Sequence, residues 1–392
     1  MSSGQTLRIS DFCKTGSGST PSRSQMNRYY DSGTIPWVKS GELRENVILE
    51  TEEHVTAAAL EETSVKLVPA NAILLAMYGA TVGRLAILGV EATTNQAICH
   101  IVPDGAIADV RYLYHALASQ VRSIVAMGVG GAQPNISQEK VKNLRVALPS
   151  LPEQRRIAAT LDQADRLRAK RREALVQLES LTQSIFIEMF GDPVANPKRW
   201  AGGTLGDAVS EMQYGPRFYN ESYADDGIRI VRITDLDESG GLDFDAMPRM
   251  RIDEKKHSQF LLKAGDIIFA RTGATVGKAA LLTETSPPCI AGAYFIRMRF
   301  DDNVLPEYAR AVLMTKSIKA VVAKQSRQAA QQNFSGPSLR RLPMPIAPTG
   351  LQMQFKERLA EVERAKMVHR KSLLQFDALF ASLQQKAFHG TL

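Results

Sequence analysis

Two stretches of the chain place their apolar residues on an alternating four–three ladder. Ile157, Leu161, Ala164, Leu175, Leu178, Ile185 and Met189 share it in the first; Phe355, Leu359, Val362, Leu373, Phe376, Phe380, Leu383 and Ala387 share it in the second. Held through several heptads, this spacing makes a narrow seam along a helix. That is the pattern of a coiled coil rather than of an amphipathic helix packed on its own domain. At about 1.5 Å per residue, a helix from Glu153 to Met189 would be roughly 55 Å long, the length of a spacer. The apolar ladder is interrupted at matching points, Arg168 and Arg171 in one stretch and Lys366 and His369 in the other.

Shorter patterns precede each ladder. Thr34–Lys39 and Ile228–Ile233 read as half-buried strands, the second interleaving apolar with basic residues. Ala72–Met77 and Asp266–Ala270 are short, largely apolar runs entering a glycine turn, as buried strands do. Val110–Met127 and Leu305–Ala323 have helical spacing, whereas Gly191–Lys198 carries turn residues without periodicity and reads as a linker.

These elements pair off because the chain is duplicated. Ile73-Leu74-Leu75-Ala76-Met77-Tyr78-Gly79-Ala80-Thr81-Val82-Gly83-Arg84 returns without a gap as Ile267-Ile268-Phe269-Ala270-Arg271-Thr272-Gly273-Ala274-Thr275-Val276-Gly277-Lys278, and Ala132-Gln133-Pro134-Asn135-Ile136-Ser137 returns as Ala330-Gln331-Gln332-Asn333-Phe334-Ser335. A unit of half the chain is too long for a solenoid, whose repeats run about 20–50 residues. It means two homologous modules of mixed α/β (α+β) class, each a domain followed by a helix. The expected divisions are 1–150 and 201–348 for the domains, 151–190 and 349–392 for the helices, and 191–200 for the linker. Two related modules suit a partner with two related surfaces, and DNA is the commonest.

Composition narrows the class only a little. The 392 residues are 44% hydrophobic and 23% charged, ordinary for a globular protein. No apolar run approaches the ~18 residues of a membrane span, and Met1–Thr6 lacks the regions of a signal peptide. Cys13, Cys99 and Cys289 are odd in number and scattered, which fits neither a disulfide framework nor a zinc cluster. The expectation is a reduced, cytoplasmic protein with no membrane partner. A net charge of +7 leans modestly toward an anionic partner.

The candidate chemistry is that of binding. Gly273–Lys278 superficially suggests a nucleotide loop, but it is one residue short between its glycines, lacks Ser or Thr after the lysine, and has Arg84 for that lysine in the first copy. A phosphate-cradling loop needs that spacing to aim its amides and the hydroxyl to hold magnesium, so a P-loop NTPase is set aside. The glycines instead permit a tight strand–turn–strand connection at positive φ. Arg84 and Lys278, with Thr81 and Thr275, then either project as phosphate contacts or form the solvated basic end of a plain hairpin. Gln133 and Gln331 either bond bidentately to adenine or contact only backbone. Asn135 and Asn333 are expected to cap the following element, and Ser137 and Ser335 to finish a turn.

The six histidines form no ligand-spaced pair, and Asp253-Glu254-Lys255, which faintly suggests a nuclease cluster, reads as a solvated charge run. There is no nucleophile elbow, no Gly-rich dinucleotide loop and no Asn/Asp-Pro-Pro-aromatic methyltransferase motif. The chain is expected to have no catalytic activity of its own. The candidate DNA contacts are Lys39, Thr81, Arg84 and Gln133 in the first copy, and Arg232, Arg271, Thr275, Lys278 and Gln331 in the second.

Taken together, the paired Leu-Gly-Asp-like openings at Leu7–Phe12 and Leu205–Val209, the Gly-Ala-Thr-Val-Gly-Arg/Lys turns, the Ala-Gln-x-Asn-x-Ser segments and Leu148-Pro149-Ser150-Leu151-Pro152-Glu153-Gln154 ahead of a long helix resemble the specificity subunit of type I restriction–modification systems. The resemblance covers essentially the whole chain. It implies two target-recognition domains, each reading half of a bipartite sequence in double-stranded DNA, held apart by an antiparallel helix pair. It also implies two modification subunits and motor–nuclease subunits as partners, with S-adenosylmethionine, ATP and Mg on those partners and no cofactor on this chain. Arg168, Arg171, Lys366 and His369 would then meet near the middle of the pair, and are expected to reach outward or find carboxylates on partner subunits. Two departures stand out. The second helix entry, Ala347-Pro348-Thr349-Gly350-Leu351-Gln352, lacks the Pro-Glu of the first, and Met77-Tyr78 stands where the second copy has Arg271-Thr272. A rival reading is a duplicated scaffold that binds only proteins through its helices.

Overall fold

The computed structural model describes residues 5–44, 47–128, 135–218, 222–326 and 333–389. It forms two compact units, one of residues 1–170 with 372–392 and the other of residues 171–371.

In the first unit a five-stranded sheet runs in the order Cys13–Ser17, Ile98–Pro103, Ile73–Ala76, Leu85–Leu88, Val47–Ile48. All neighbours are antiparallel except the last pair. In the second unit Val209–Tyr214, Phe295–Phe300, Ile267–Ala270 and Ala279–Leu281 repeat the first four positions in the same order, all antiparallel. The central strands read as unbroken apolar runs because both faces of each sheet are covered. Ile73 and Leu75 join one core cluster and Leu74 and Ala76 another; Ile267 and Phe269 divide from Ile268 and Ala270 in the same way. A smaller sheet lies beside each. In the first unit Ile35–Val38 pairs in parallel with Thr93–Thr94, and in the second Ile228–Val231 pairs in parallel with Cys289–Ala291.

The helical patterns are each shorter than their periodicity suggests. Val110–Met127 divides into Val110–Ser119 and Val121–Ala126, and Leu305–Ala323 into Pro306–Met314 and Lys316–Ser326. In the second case Thr315 leaves the helical region (φ −63°, ψ 150°) and its hydroxyl accepts from Ile318 N at 3.4 Å, opening a new helix.

The two ladders are the two long helices, Leu151–Phe190 and Thr349–His389. Within the second unit they run antiparallel: Arg171 meets His369 at 3.4 Å, Glu179 meets Lys366 at 2.7 Å, and the Phe186 and Phe355 rings are 5.7 Å apart. Within the first unit Ile157 and Leu161 are buried in a cluster against which Phe380, Leu383, Ala387 and Phe388 pack. Phe355 and Val362 are buried, while Leu175, Leu178, Ile185, Leu359, Leu373 and Phe376 are half-buried.

The basic interruptions turn inward, contrary to the expectation that they reach outward or seek partner carboxylates. Arg168 holds Asp165 at 2.7 Å and Asp377 at 2.6 Å, with its guanidinium 4.3 Å from the Phe380 ring centre. Lys366, only 3% exposed, holds Glu179 at 2.7 Å and Glu363 at 2.8 Å. The repeat carries Asp165, Arg168 and Glu179 onto Glu363, Lys366 and Asp377, so one arrangement is built twice. Each cation has an acid one turn back on its own helix and a second across the seam. A slip of either helix would leave a buried cation facing apolar residues, so the clusters fix register even where they add little stability.

Candidate nucleic-acid interface

Each glycine turn is the tight end of a hairpin. Gly79 and Gly83 sit at φ +78° and +82°, and Gly273 and Gly277 at +72° and +92°, a region closed to most L side chains. Ala76 N donates to Arg84 O and Gly83 N to Ala76 O, each at 2.9 Å; Ala270 with Lys278 and Gly277 repeats the exchange at 2.9 and 3.0 Å. The turn residues are therefore placed by backbone geometry, and their side chains are left for other work.

The Asn-x-Ser segments dock beside these turns. Asn135 bridges Tyr78 and Asn333 bridges Thr272, while Ile136 N donates to Met77 O and Phe334 N to Arg271 O. Ser137 and Ser335 cap the short helices Gln138–Lys142 and Gly336–Arg340, accepting from Lys140 N and Ser338 N. The capping role expected of the asparagines thus belongs to the serines, which stand at the N-cap positions, while Asn135 and Asn333 lie two residues earlier in the bridges to Tyr78 and Thr272. Gln133 and Gln331 lie outside the described residues.

The basic candidates differ in what already holds them. Arg84 is exposed, and Thr81 and Thr275 are half-buried. Lys278 is ion-paired with Glu238 at 2.7 Å. Lys39 and Arg232 occupy equivalent places, each opening a 3-10 turn whose third residue accepts from its backbone N at 2.8 Å. Lys39 Nζ contacts Glu52 and Glu53 at 2.8 and 2.9 Å, and Arg232 contacts Asp235 at 2.7 Å. Lys39 holds the Glu52 carboxyl below its ordinary range and Arg23, with Lys39, does the same to Glu53, while the paired carboxylates hold the Lys39 and Arg232 cations above theirs. Arg271 stands over Tyr214, its guanidinium 4.9 Å from the ring centre, and Tyr214 accepts a hydrogen bond from Gly336 N at 2.7 Å. That platform escapes sequence reasoning, because 122 residues separate its members. The two basic turn ends are thus unequal: Arg84 stands in solvent, while Lys278 is held by a carboxylate.

The residues that suggest catalysis in the sequence have structural explanations. Burial pushes the Cys13 and Cys99 thiols up to about 12 and Cys289 to about 11, so all three are protonated and weakly nucleophilic near neutrality. Asp253 accepts from Lys255 N and Lys256 N at the start of the helical turn Glu254–His257. No helix among the described residues is long and apolar enough to cross a membrane.

Comparison with known proteins agrees with this picture. A family model described as the type I restriction modification DNA specificity domain matches residues 1–179. Over 155 residues the chain is 30% identical to the EcoR124I/EcoR124II type I restriction enzyme specificity subunit of Escherichia coli, a match spanning 38% of each protein. It is 21% identical to the MjaVIII type I restriction enzyme specificity subunit of Methanocaldococcus jannaschii, over 95% of this chain and 89% of that relative. The solved S subunit of a type I restriction-modification system from M. genitalium superposes with a TM-score of 0.57 at 15% identity, covering 98% of this chain and 96% of that one.

Proposed function

We propose that the chain is a type I restriction–modification specificity subunit, the non-catalytic subunit that reads a bipartite DNA sequence for its complex. The observation that carries this reading is the duplication. One strand order, one glycine turn and one docked Asn-x-Ser segment recur in both units, with different side chains at the ends of the turns. A shared framework can orient a module on the duplex while loop residues choose the bases. Two modification subunits and motor–nuclease subunits are the proposed partners, and S-adenosylmethionine, ATP and Mg would be bound there. The cytoplasm, where the DNA is, is the proposed location.

Exchanging the first module, Ser10 to Ala147, for that of another family member is expected to change one half of the methylated sequence and leave the other intact. Mapping methylated adenines in a genome carrying the hybrid checks this; a change in both halves would count against modular reading. Arg84 is proposed as a phosphate contact. Arg84→Ala should weaken binding to every sequence alike and flatten the dependence of log affinity on log salt by about one unit. Altered sequence preference with an unchanged slope would instead place Arg84 on a base.

A further inference from the structure

In the second unit Lys278 does not face solvent with a free ammonium. Its side chain is 12% exposed, and its Nζ lies 2.7 Å from Oε1 of Glu238, a side chain that is itself 92% exposed. Two more cations gather there. Arg310 donates to the carbonyl of Ser239, the next residue, and Lys319 is within electrostatic reach of Glu238, Lys278 and Arg310. Burial is the chief cause that pulls both Arg310 and Lys319 below their ordinary ranges, so these cations stand partly stripped of water.

The loop that carries Glu238 has a fixed shape. Asp237 Oδ1 accepts from Ser239 N at 2.8 Å and Gly241 N at 2.7 Å. Gly240 sits at φ +80°, where a Cβ would lie 2.2 Å from the carbonyl oxygen of Ala279, next to Lys278. Only a glycine lets this loop lie so close to the strand. The carboxylate is thus delivered to the basic end of the glycine turn by a preformed loop.

We propose that Glu238 occupies, in the DNA-free chain, the place of a DNA phosphate at this turn, and that the second module binds the duplex by exchanging carboxylate for phosphate. The inference rests on the reading of Lys278 as a phosphate contact. An ion pair whose acid stands in water is weak and exchangeable. Exchange releases one counterion from the DNA but leaves Glu238 to gather another, so Lys278 adds little to affinity for arbitrary sequence. The pair therefore holds down non-specific binding by this module.

The test is a salt titration of the full chain, purified with its partner subunits, on a duplex of arbitrary sequence. Glu238→Gln should bind several-fold more tightly at about 50 mM salt and steepen the slope by about one unit, so that its advantage shrinks roughly fourfold by 200 mM. Lys278→Ala in the Glu238→Gln background should remove that gain. Glu284→Gln, which makes the same change of charge at another exposed position, should give a smaller gain. Three results would overturn the exchange: no gain from Glu238→Gln, a gain matched by Glu284→Gln, or a gain that survives Lys278→Ala. If Lys278→Ala alone still weakens binding in those cases, the phosphate contact stands without the exchange; if it has no effect in either background, the phosphate reading itself falls.

Discussion

Gln154→Ala is expected to destabilise the first unit by about 3 kcal/mol or more, although the residue lies in the first turns of a long helix whose neighbouring positions are mostly polar. Gln154 is fully buried. Its Oε1 accepts from Asp109 N at 2.8 Å, and its Nε2 donates to Ile107 O at 3.0 Å and Pro149 O at 2.9 Å. One side chain thus satisfies three backbone groups, two of them in the loop that leads into the helix Val110–Ser119. Alanine would leave all three without that partner, at roughly 1–3 kcal/mol for each group that water cannot reach. The second unit repeats the device. Gln352, also fully buried, accepts from Leu305 N at 2.8 Å and donates to Asn303 O at 2.9 Å and Ala347 O at 2.7 Å. Gln352→Ala should therefore behave like Gln154→Ala. Urea unfolding, with the exposed Gln177→Ala as control, measures both. Midpoints no lower than the control's would mean that water replaces the amide at no cost.

This device shows where sequence reasoning stops. The seam was legible because its residues are apolar and its period is local: a heptad ladder is visible within each helix alone. The glycine turns were legible because positive φ leaves few residue choices. Gln154 was not, since a glutamine in a helical first turn reads as surface and two of its three partners lie 45 and 47 residues away. The two helix entries differ at Pro152-Glu153 against Gly350-Leu351, yet the glutamine that follows is the part both folds use. The inward charges escaped for a related reason. Arg168 and Asp377 are 209 residues apart, and nothing local distinguishes a basic residue facing solvent from one facing an acid across a seam. Strand order was equally hidden, because short apolar strands announce their burial but not their neighbours.

The same seam supports the prediction with the largest consequence for recognition. We expect that removing Arg171–Gln177 together with His369–Gln375 will shorten the unread gap between the two half-sites. These are matched heptads of the repeat, and their removal brings Leu178 and Phe376 to the seam positions vacated by Arg171 and His369. The cation clusters around Arg168 and Lys366 lie outside both deletions, and equal deletions in antiparallel helices keep Arg168 opposite Asp377 and Lys366 opposite Glu179. The price is the Arg171–His369 contact and the layers of Leu175 and Leu373. Seven residues span about 10.5 Å at 1.5 Å per residue, and duplex DNA rises about 3.4 Å per base pair, so the gap should shorten by roughly three base pairs. Three base pairs also turn the groove by about 100°, so binding would be lost altogether if the modules cannot follow it. Methylation mapping distinguishes the outcomes, with urea unfolding to show that the shortened chain is folded. A folded variant that still recognised the original spacing would mean that the paired helices do not set it.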